Sequence, residues 1–477
     1  MPAVVTYSLT GNAYTDGLLG DIKWVVNSFT FSFPDYGSYY GTPYGAGESS
    51  TNFGALNPTQ QATVRSALRM YAAVANLNFT EIAETATQHA DLRFAMSSTP
   101  GTAWAYFPSV SAESGDAWFN QTDYTSPARG NYADLTFIHE IGHALGLEHP
   151  HESGMPQERD SLEYTVMSYR SYLGASTTSG YGNETWGYAQ SLMMYDVAAI
   201  QHLYGANFAT NSGKTVYSWS PNSGEMYING VGQGAPGGNK IFQTIWDGGG
   251  ADTYDLSNYT TDLTINLQPG EWTKTSPAQL AKLHWDGSRT AVGTIANALL
   301  YNNDIRSLIE NALGGSGSDI ISGNVANNTL WGGAGNDRLF GASGNDTFYG
   351  GTGIDTVVLQ GNFEDYVVSQ GNSGAIILSD RLVARDGVDT VSEMEYFAFA
   401  NTTYATSQLS NHLMSAAAGT FAAPSLGLAA FGVSAGGWTS NDRYLRELAD
   451  VNGDGRADII GFGEAGAYVA PSHWFVV

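Results

Sequence analysis

HEIGHALGLEHP, residues 139–150, places His139, His143 and His149 within twelve positions, with Glu140 directly behind the first. On a helix, His139 and His143 stand at i and i+4 on one face and can grip one ion from the same side. His149 lies six residues past His143, about 9 Å farther along a continuing helix. It joins the pair only if the chain turns back. Gly146 sits where that reversal is required, because glycine takes φ > 0 without steric cost. Three imidazoles suit zinc at ~2.0–2.1 Å and leave a coordination position open for water. Zinc lowers the pKa of such a water to about 7. Glu140 is placed to act as general base and to pass the proton to a leaving amine. Other first-row divalent ions suit the same histidines, so zinc is inferred from geometry and donor type.

Outward from this stretch, residues 1–210 read as a compact mixed α/β unit. NPTQQATVRSALRMYAAVANL (57–77) is a helix with Asn57 as N-cap and Pro58 in its first turn; Val64, Leu68, Tyr71 and Val74 fall on one face. ADLRFAMS (90–97) alternates and reads as a strand with Leu92, Phe94 and Met96 on one side. SLMMYDVAAIQHLYG (191–205) is a further helix that brings Met193, Val197, Ile200 and Tyr204 together and ends at Gly205. The Tyr/Ser/Gly-rich stretch 170–188 has neither period. Residues 211–410 turn to short strands between Gly/Asn/Asp turns, and 411–477 open with the linker SAAAGTFAAPSLGLAA before a small strand-and-loop module.

Composition sets the outer bounds. At 477 residues the chain is long enough for two or three cores, with 42% apolar and 13% charged residues. A net charge of −26 argues against nucleic acid or an anionic membrane as partner and for cation-rich surroundings. With 0 cysteines, disulfides, thiolate chemistry and Cys-ligated zinc are excluded. MPAVVTYSLTGN lacks a basic segment followed by an apolar run, so it is no Sec signal, and no apolar window reaches the ~18 residues of a membrane span. His151 and Glu152, just past the site, read as solvated, and His202 as packed or hydrogen-bonded. His89, His284, His412 and His473 have no partners at ligand spacing.

The letters at 139–149 resemble the metzincin pattern H-E-x-x-H-x-x-G-x-x-H. YTVMSYR (164–170) is similar to the Met-turn of serralysins and astacins, as are Pro150, AWFN (117–120), DVAAIQHLYGAN (196–207) and YTDGLLGDIKW (14–24) to serralysin segments. The resemblance implies that Met167 forms an apolar floor under the metal. It also implies that Tyr169 is a fifth, displaceable ligand that swings to stabilise an oxyanion. It places ADLRFAMS at the rim of the cleft, where extended peptide would pair with it and be read with loose specificity. The 170–188 loop would shape the pocket beyond the scissile bond.

Five nonapeptides, GGSGSDIIS, GNVANNTLW, GGAGNDRLF, GASGNDTFY and GGTGIDTVV, begin at 314, 323, 332, 341 and 350 without a slip. This is the repeat-in-toxin pattern of a parallel β-roll: six residues turn, and three form a strand whose eighth-position side chain (Ile321, Leu330, Leu339, Phe348, Val357) fills a thin core. Stacked aspartates repel unless a divalent ion lies between the turns. The resemblance implies one calcium at Gly315, Gly317 and Asp319 with Gly332, Ala334 and Asp337. A second would lie at Asn324, Ala326 and Asn328 with Gly341, Ser343 and Asp346, one charge poorer because of Asn328. A third would lie at Gly333, Gly335 and Asp337 with Gly350, Thr352 and Asp355. WDGGGADTYDLS (246–257) and IENALGGSG (309–317) extend the likeness and imply two more calciums on Asp247, Gly249, Gly250, Asp252 and Glu310, with carbonyls of Asn211, Gly213 and Thr215.

DVNGDGRAD (450–458) sets Asp450, Asn452, Asp454 and Asp458 at the spacing of an EF-hand-like calcium loop. With its flanks it resembles one FG-GAP propeller blade, and a single blade cannot close a ring. The expectation is therefore an α+β zincin (metzincin) catalytic domain at 1–210, an all-β RTX β-roll at 211–410 and a small β module at 411–477. It would be a monomeric, secreted, broad-specificity endopeptidase for proteins and peptides, with one catalytic Zn²⁺ and several structural Ca²⁺. A roll that folds only in calcium suits export through a one-step channel that reads the C-terminus, although His473 stands where an acid usually precedes the four apolar residues WFVV. The rival reading is a carbohydrate- or surface-binding protein whose last module binds glycans.

Overall fold

The computed structural model describes residues 2–371, 374–409, 446–449, 458–463 and 466–470. Residues 1–367 and 371–403 form one compact unit; 368–370 and 404–477 are assigned to a second.

The N-terminal half of the first unit is built on strands β1 (Val4–Thr6), β2 (Ile22–Trp24), β3 (Ser28–Ser32), β4 (Asn78–Glu81), β5 (Leu92–Met96), β6 (Ala103–Ala105) and β7 (Ala117–Phe119), and on helices α1 (Ala13–Asp16), α2 (Pro58–Val74), α3 (Tyr132–Ala144) and α4 (Met194–Tyr204). The five-stranded sheet runs β4-β3-β5-β7-β6, parallel except for the edge strand β6, which pairs antiparallel with β7. ADLRFAMS does form a strand, but its position corrects the expectation. β5 lies between β3 and β7, not at the rim. Leu92, Phe94 and Met96 enter the main core, while Ala95 packs with Tyr40, Tyr44 and Trp118, and the buried Arg93 pairs with Asp116 at 2.7 Å. A strand paired on both sides has no free edge, and the edge on this side of the sheet is β6.

Helix α2 starts as its sequence dictates: Asn57 accepts from Gln60 N and the Gln60 side chain accepts from Asn57 N. Val64, Leu68, Tyr71 and Val74 are buried against the core. Helix α4 begins at Met194, later than the apolar pattern, because the Asp196 carboxylate takes the Met193 N–H at 2.8 Å. It ends at Gly205, φ +82°.

Beyond residue 211 the chain winds into a parallel roll. One sheet stacks strands 216–219, 253–255, 311–313, 329–335, 347–353 and 388–392, and the opposite one stacks 264–266, 320–322, 338–340, 356–358 and 396–398, parallel throughout. Asn311 pairs with Thr329 and Thr329 with Thr347, so each strand meets the one two nonapeptides on. Ile321, Leu330, Leu339, Phe348 and Val357 are all buried between the sheets. Phe242, Trp246, Ala281, Leu283, Ala291 and Ala296 belong to the same core cluster as residues of the N-terminal half. In the second unit, strands 446–449, 458–463 and 466–470 form an antiparallel sheet. Asp458 opens the middle strand; Asp450, Asn452 and Asp454 lie outside the described residues, as do His412 and His473. Among the described residues no helix is long and apolar enough to cross a membrane.

Candidate metal centre

The chain reverses where the sequence requires. Helix α3 is capped by Asn131, whose side chain accepts from Asp134 N, and ends at Ala144. Gly146 then takes φ +104°, and Leu147 N bonds back to Gly142 O at 2.9 Å. The returning segment is fixed by Glu148 N to Leu18 O at 2.9 Å. Trp24 Nε1 and Tyr204 OH donate to the buried carbonyls of Ala144 and Leu145 at 2.9 and 2.8 Å, completing the helix end.

This turn brings three imidazoles to one point. Nε2 of His143 lies 3.0 Å from that of His139 and 2.9 Å from that of His149, and the last two are 3.2 Å apart. Each Nδ1 is committed elsewhere: His139 donates to Val166 O (2.9 Å), His143 to Leu147 O (2.7 Å) and His149 to Glu152 Oε2 (2.9 Å). With the protons on Nδ1, three Nε2 lone pairs converge, which is repulsive without a cation and ideal with one. A triangle of these edges lets every nitrogen reach one point at ~2.0–2.1 Å, so the donors fit zinc. Burial drives the same way, lowering His139 to about 3 and His143 well below the ordinary imidazole range; neutral imidazole is the ligand form.

Glu140 is buried beside the trio. Its Oε2 has no hydrogen-bond partner, the other end of the carboxylate is held by the Ala105 N–H of β6, and burial raises its pKa to about 8. Met167 is fully buried under the site, and a Cβ added at Gly142 would come within 2.7 Å of its sulfur and 2.8 Å of Tyr71 OH. Glycine at 142 is thus a packing requirement between the two helical ligands. Tyr169 sets its ring 4.4 Å from His149 and 5.8 Å from His139, centre to centre, and burial raises its phenol to about 12. His139, Glu140 and Tyr169 border a cleft of about 390 Å³ lined also by Thr102 and Ala103 of the edge-strand segment, Tyr132, Leu135 and Thr136 of α3, and Tyr181 of the 170–188 loop. A larger cavity of about 600 Å³, along α2 and the first roll strands, is not lined by any of the three histidines.

Three features escaped sequence reasoning. Glu152 is not simply solvated but orients the third imidazole. His151 sets its ring 5.0 Å from that of Tyr169, tilted, instead of facing water alone. Asp196, fully buried, accepts from Thr165 Oγ1 and from Val166 N at 2.8 Å, tying the Met167 turn to α4. A charge deep in an apolar helix was the one signal that could have marked it. His202 is hydrogen-bonded to Ser8 O at 2.7 Å, as expected, while His89 and His284 pair only with Glu84 and Asp286.

The roll repeats one linkage. The backbone N–H of each sixth position donates to the sixth-position side chain two repeats on: Asp319 to Asp337 (2.7 Å), Asn328 to Asp346 (2.8 Å) and Asp337 to Asp355 (2.8 Å). Upstream, Thr215 N reaches Asp252 and Asp252 N reaches Glu310, each at 2.7 Å. Gly249 N is bound by Asp247, and the Asn211 and Gly213 carbonyls share the Thr215 hydroxyl. One oxygen of each of Asp252, Asp337, Asp346 and Asp355 is buried without a partner. Burial raises Asp319 to about 6 and Asp337 and Asp346 to about 7. Buried, unpartnered carboxylate oxygens beside stacked carbonyls fit hard oxygen-seeking Ca²⁺. Asn328 differs: its amide donates to Glu310 O (2.9 Å) and Asn324 Oδ1 (3.1 Å), so hydrogen bonds satisfy that rung.

Comparison with known proteins agrees with both sites. The matrixin family model matches residues 50–157, and that of the RTX calcium-binding nonapeptide repeat matches 313–348 and 322–357. The chain is 33% identical over 334 residues to serralysin of Proteus mirabilis, covering 63% of this chain and 60% of that one. It is 34% identical over 296 residues to metalloprotease AprA of Pseudomonas entomophila (58% and 56%), and 32% identical over 347 residues to a Photorhabdus serralysin (67% and 64%). It thus spans less than two thirds of the length of each. Nothing among these matches supports a carbohydrate-binding reading. The imidazole trio, the buried Met167 and the nonapeptides agree with these matches: the chain resembles the serralysin-type metzincins with RTX repeats.

Proposed function

We propose that this protein is a secreted, calcium-stabilised zinc endopeptidase that cleaves proteins and peptides with loose sequence preference. The observation that carries the reading is the convergence of three Nε2 lone pairs beside a buried, unpaired carboxylate. His139, His143 and His149 would hold the zinc, which would supply Lewis acidity toward water and the scissile carbonyl. Glu140 takes the proton of the attacking water and delivers it to the leaving amine; the burial that raises its pKa makes it a stronger base than an exposed carboxylate. Tyr169, at the rim of the trio, would donate its phenolic hydrogen to the developing oxyanion and would be the displaceable further ligand.

An extended substrate adds to the free edge of β6, whose Ala103 borders the cleft. Backbone pairing of this kind is indifferent to side chains. Tyr132, Tyr181 and Tyr188 form the pocket beyond the scissile bond. The 211–410 roll holds calcium at the turns named above, and the chain works as a monomer. Export follows the calcium gradient: extracellular modules bind at ~10⁻⁴–10⁻³ M, so the roll folds outside the cell.

Glu140→Gln tests the assignment. The variant is expected to bind zinc and keep its far-UV spectrum while losing about 10²–10⁴-fold in casein hydrolysis. Cleavage at the wild-type rate would overturn the role of Glu140.

A further inference from the structure

The edge strand β6 is gripped by the loop that precedes α2. Trp104 Nε1 donates to Glu48 Oε1 at 3.0 Å, and Tyr106 OH donates to the same oxygen. Tyr106 OH in turn accepts from Ala46 N at 3.1 Å. Gly45, φ +43°, lets the loop come this close, since a Cβ there would meet Glu48 Oε2 at 2.5 Å and Tyr106 OH at 2.6 Å. Glu48 is 0% exposed and its Oε2 has no hydrogen-bond partner. No cation offsets it: Arg93, which lies over the Tyr40 and Tyr44 rings of the same layer, is taken by Asp116 and Glu84.

A buried carboxylate without a cation is costly to fold around. What it provides here is two charge-assisted hydrogen bonds, the strong and directional kind, to the residues on either side of Ala105. The Ala105 N–H holds one end of the Glu140 carboxylate, and Thr102 and Ala103 border the cleft. Ala103, Trp104 and Ala105 pair with Phe119, Trp118 and Ala117 of β7, so the opposite edge of this strand is the free one. A strand of three residues has few ladder bonds of its own. Its side-chain anchors therefore decide where that free edge lies.

We propose that Glu48 is a positioning residue for peptide hydrolysis: by anchoring Trp104 and Tyr106 it sets the β6 edge to which extended peptide adds, and with it the orientation of Glu140. Glu48 acts through β6 and touches neither substrate nor the reacting atoms. The inference rests on the reading of β6 as the substrate edge and of Glu140 as general base.

The test measures kcat and KM of the full chain on an extended peptide substrate in saturating zinc and calcium. Glu48→Leu is expected to lower kcat and raise KM, together costing about 10–100-fold in kcat/KM, with zinc content and far-UV spectrum unchanged. Glu48→Gln, which keeps an acceptor oxygen for both donors, is expected to stay near wild type. A merely structural role would lower the fraction of active enzyme, and so kcat alone; the rise in KM marks a displaced edge. Because Glu48→Leu could misfold, Tyr106→Phe, which removes one hydroxyl and leaves the ring, is measured beside it and should shift KM in the same direction. A wild-type KM in folded, zinc-loaded Glu48→Leu, or in Tyr106→Phe should the first variant not fold, would overturn the proposal. Failure of the general-base assignment would show separately, as an active Glu140→Gln, and leaves the KM comparison intact.

Discussion

Gly142→Ala separates packing at the metal floor from helix propensity. In an ordinary helix interior the change stabilises by about 0.5–1 kcal/mol. Here the new Cβ would lie 2.7 Å from Met167 Sδ and 2.8 Å from Tyr71 OH, both buried. Overpacking of this kind costs about 1–3 kcal/mol, and two contacts under 3.0 Å put the cost toward the upper end. A net loss of about 1–2 kcal/mol is expected. Met167→Ala alone, emptying a fully buried site, should cost about 2–5 kcal/mol. Removing the sulfur also removes the closer clash, so in that background Gly142→Ala should become at least about 1 kcal/mol less costly, a coupling typical of residues in contact. The assay is equilibrium guanidinium unfolding of the four proteins in saturating zinc and calcium. A Gly142→Ala variant more stable than wild type, or two effects that simply add, would refute the contact between helix α3 and the Met167 turn.

Tyr169→Phe should leave zinc content and stability near wild type, since the ring contacts remain, while kcat falls at nearly constant KM; an unchanged kcat removes the phenol from the reaction. The calcium-free roll should show a distinct pH response. Asp337 and Asp346 have folded-state pKa values raised to about 7, largely by burial, above an unfolded value of about 3.9. Stability from such groups is fully present below the unfolded value and lost as pH rises through the folded one. Calcium binds the ionised form, so the rise in melting temperature on adding calcium should grow between pH 5 and pH 8. An equal rise at both would contradict the carboxylate account.

The sequence made the metal site legible because its ligands are local: two lie on one helix turn, and the third returns across a single glycine. The nonapeptides were legible for the same reason, a fixed short period. What the sequence hid depends on distance. β6 becomes the edge only once β5 has paired on both sides, and three-residue AWA carries too weak a pattern to announce it. Asp196 acts on a turn some thirty residues upstream. Glu152 looks like any loop acid until the reversal at Gly146 swings His149 over it. Roll strand 388–392 escaped because residues 359–383 break the nine-residue period before it.

The account turns on whether the returning imidazole shares one ion with the two helical ones. Metal analysis of wild type and His149→Ala, both dialysed against the same buffered zinc, measures this directly. One zinc per wild-type chain and little or none on a folded His149→Ala is the expected result. A wild type that retains no zinc, or a variant that holds it as tightly as wild type, would contradict it.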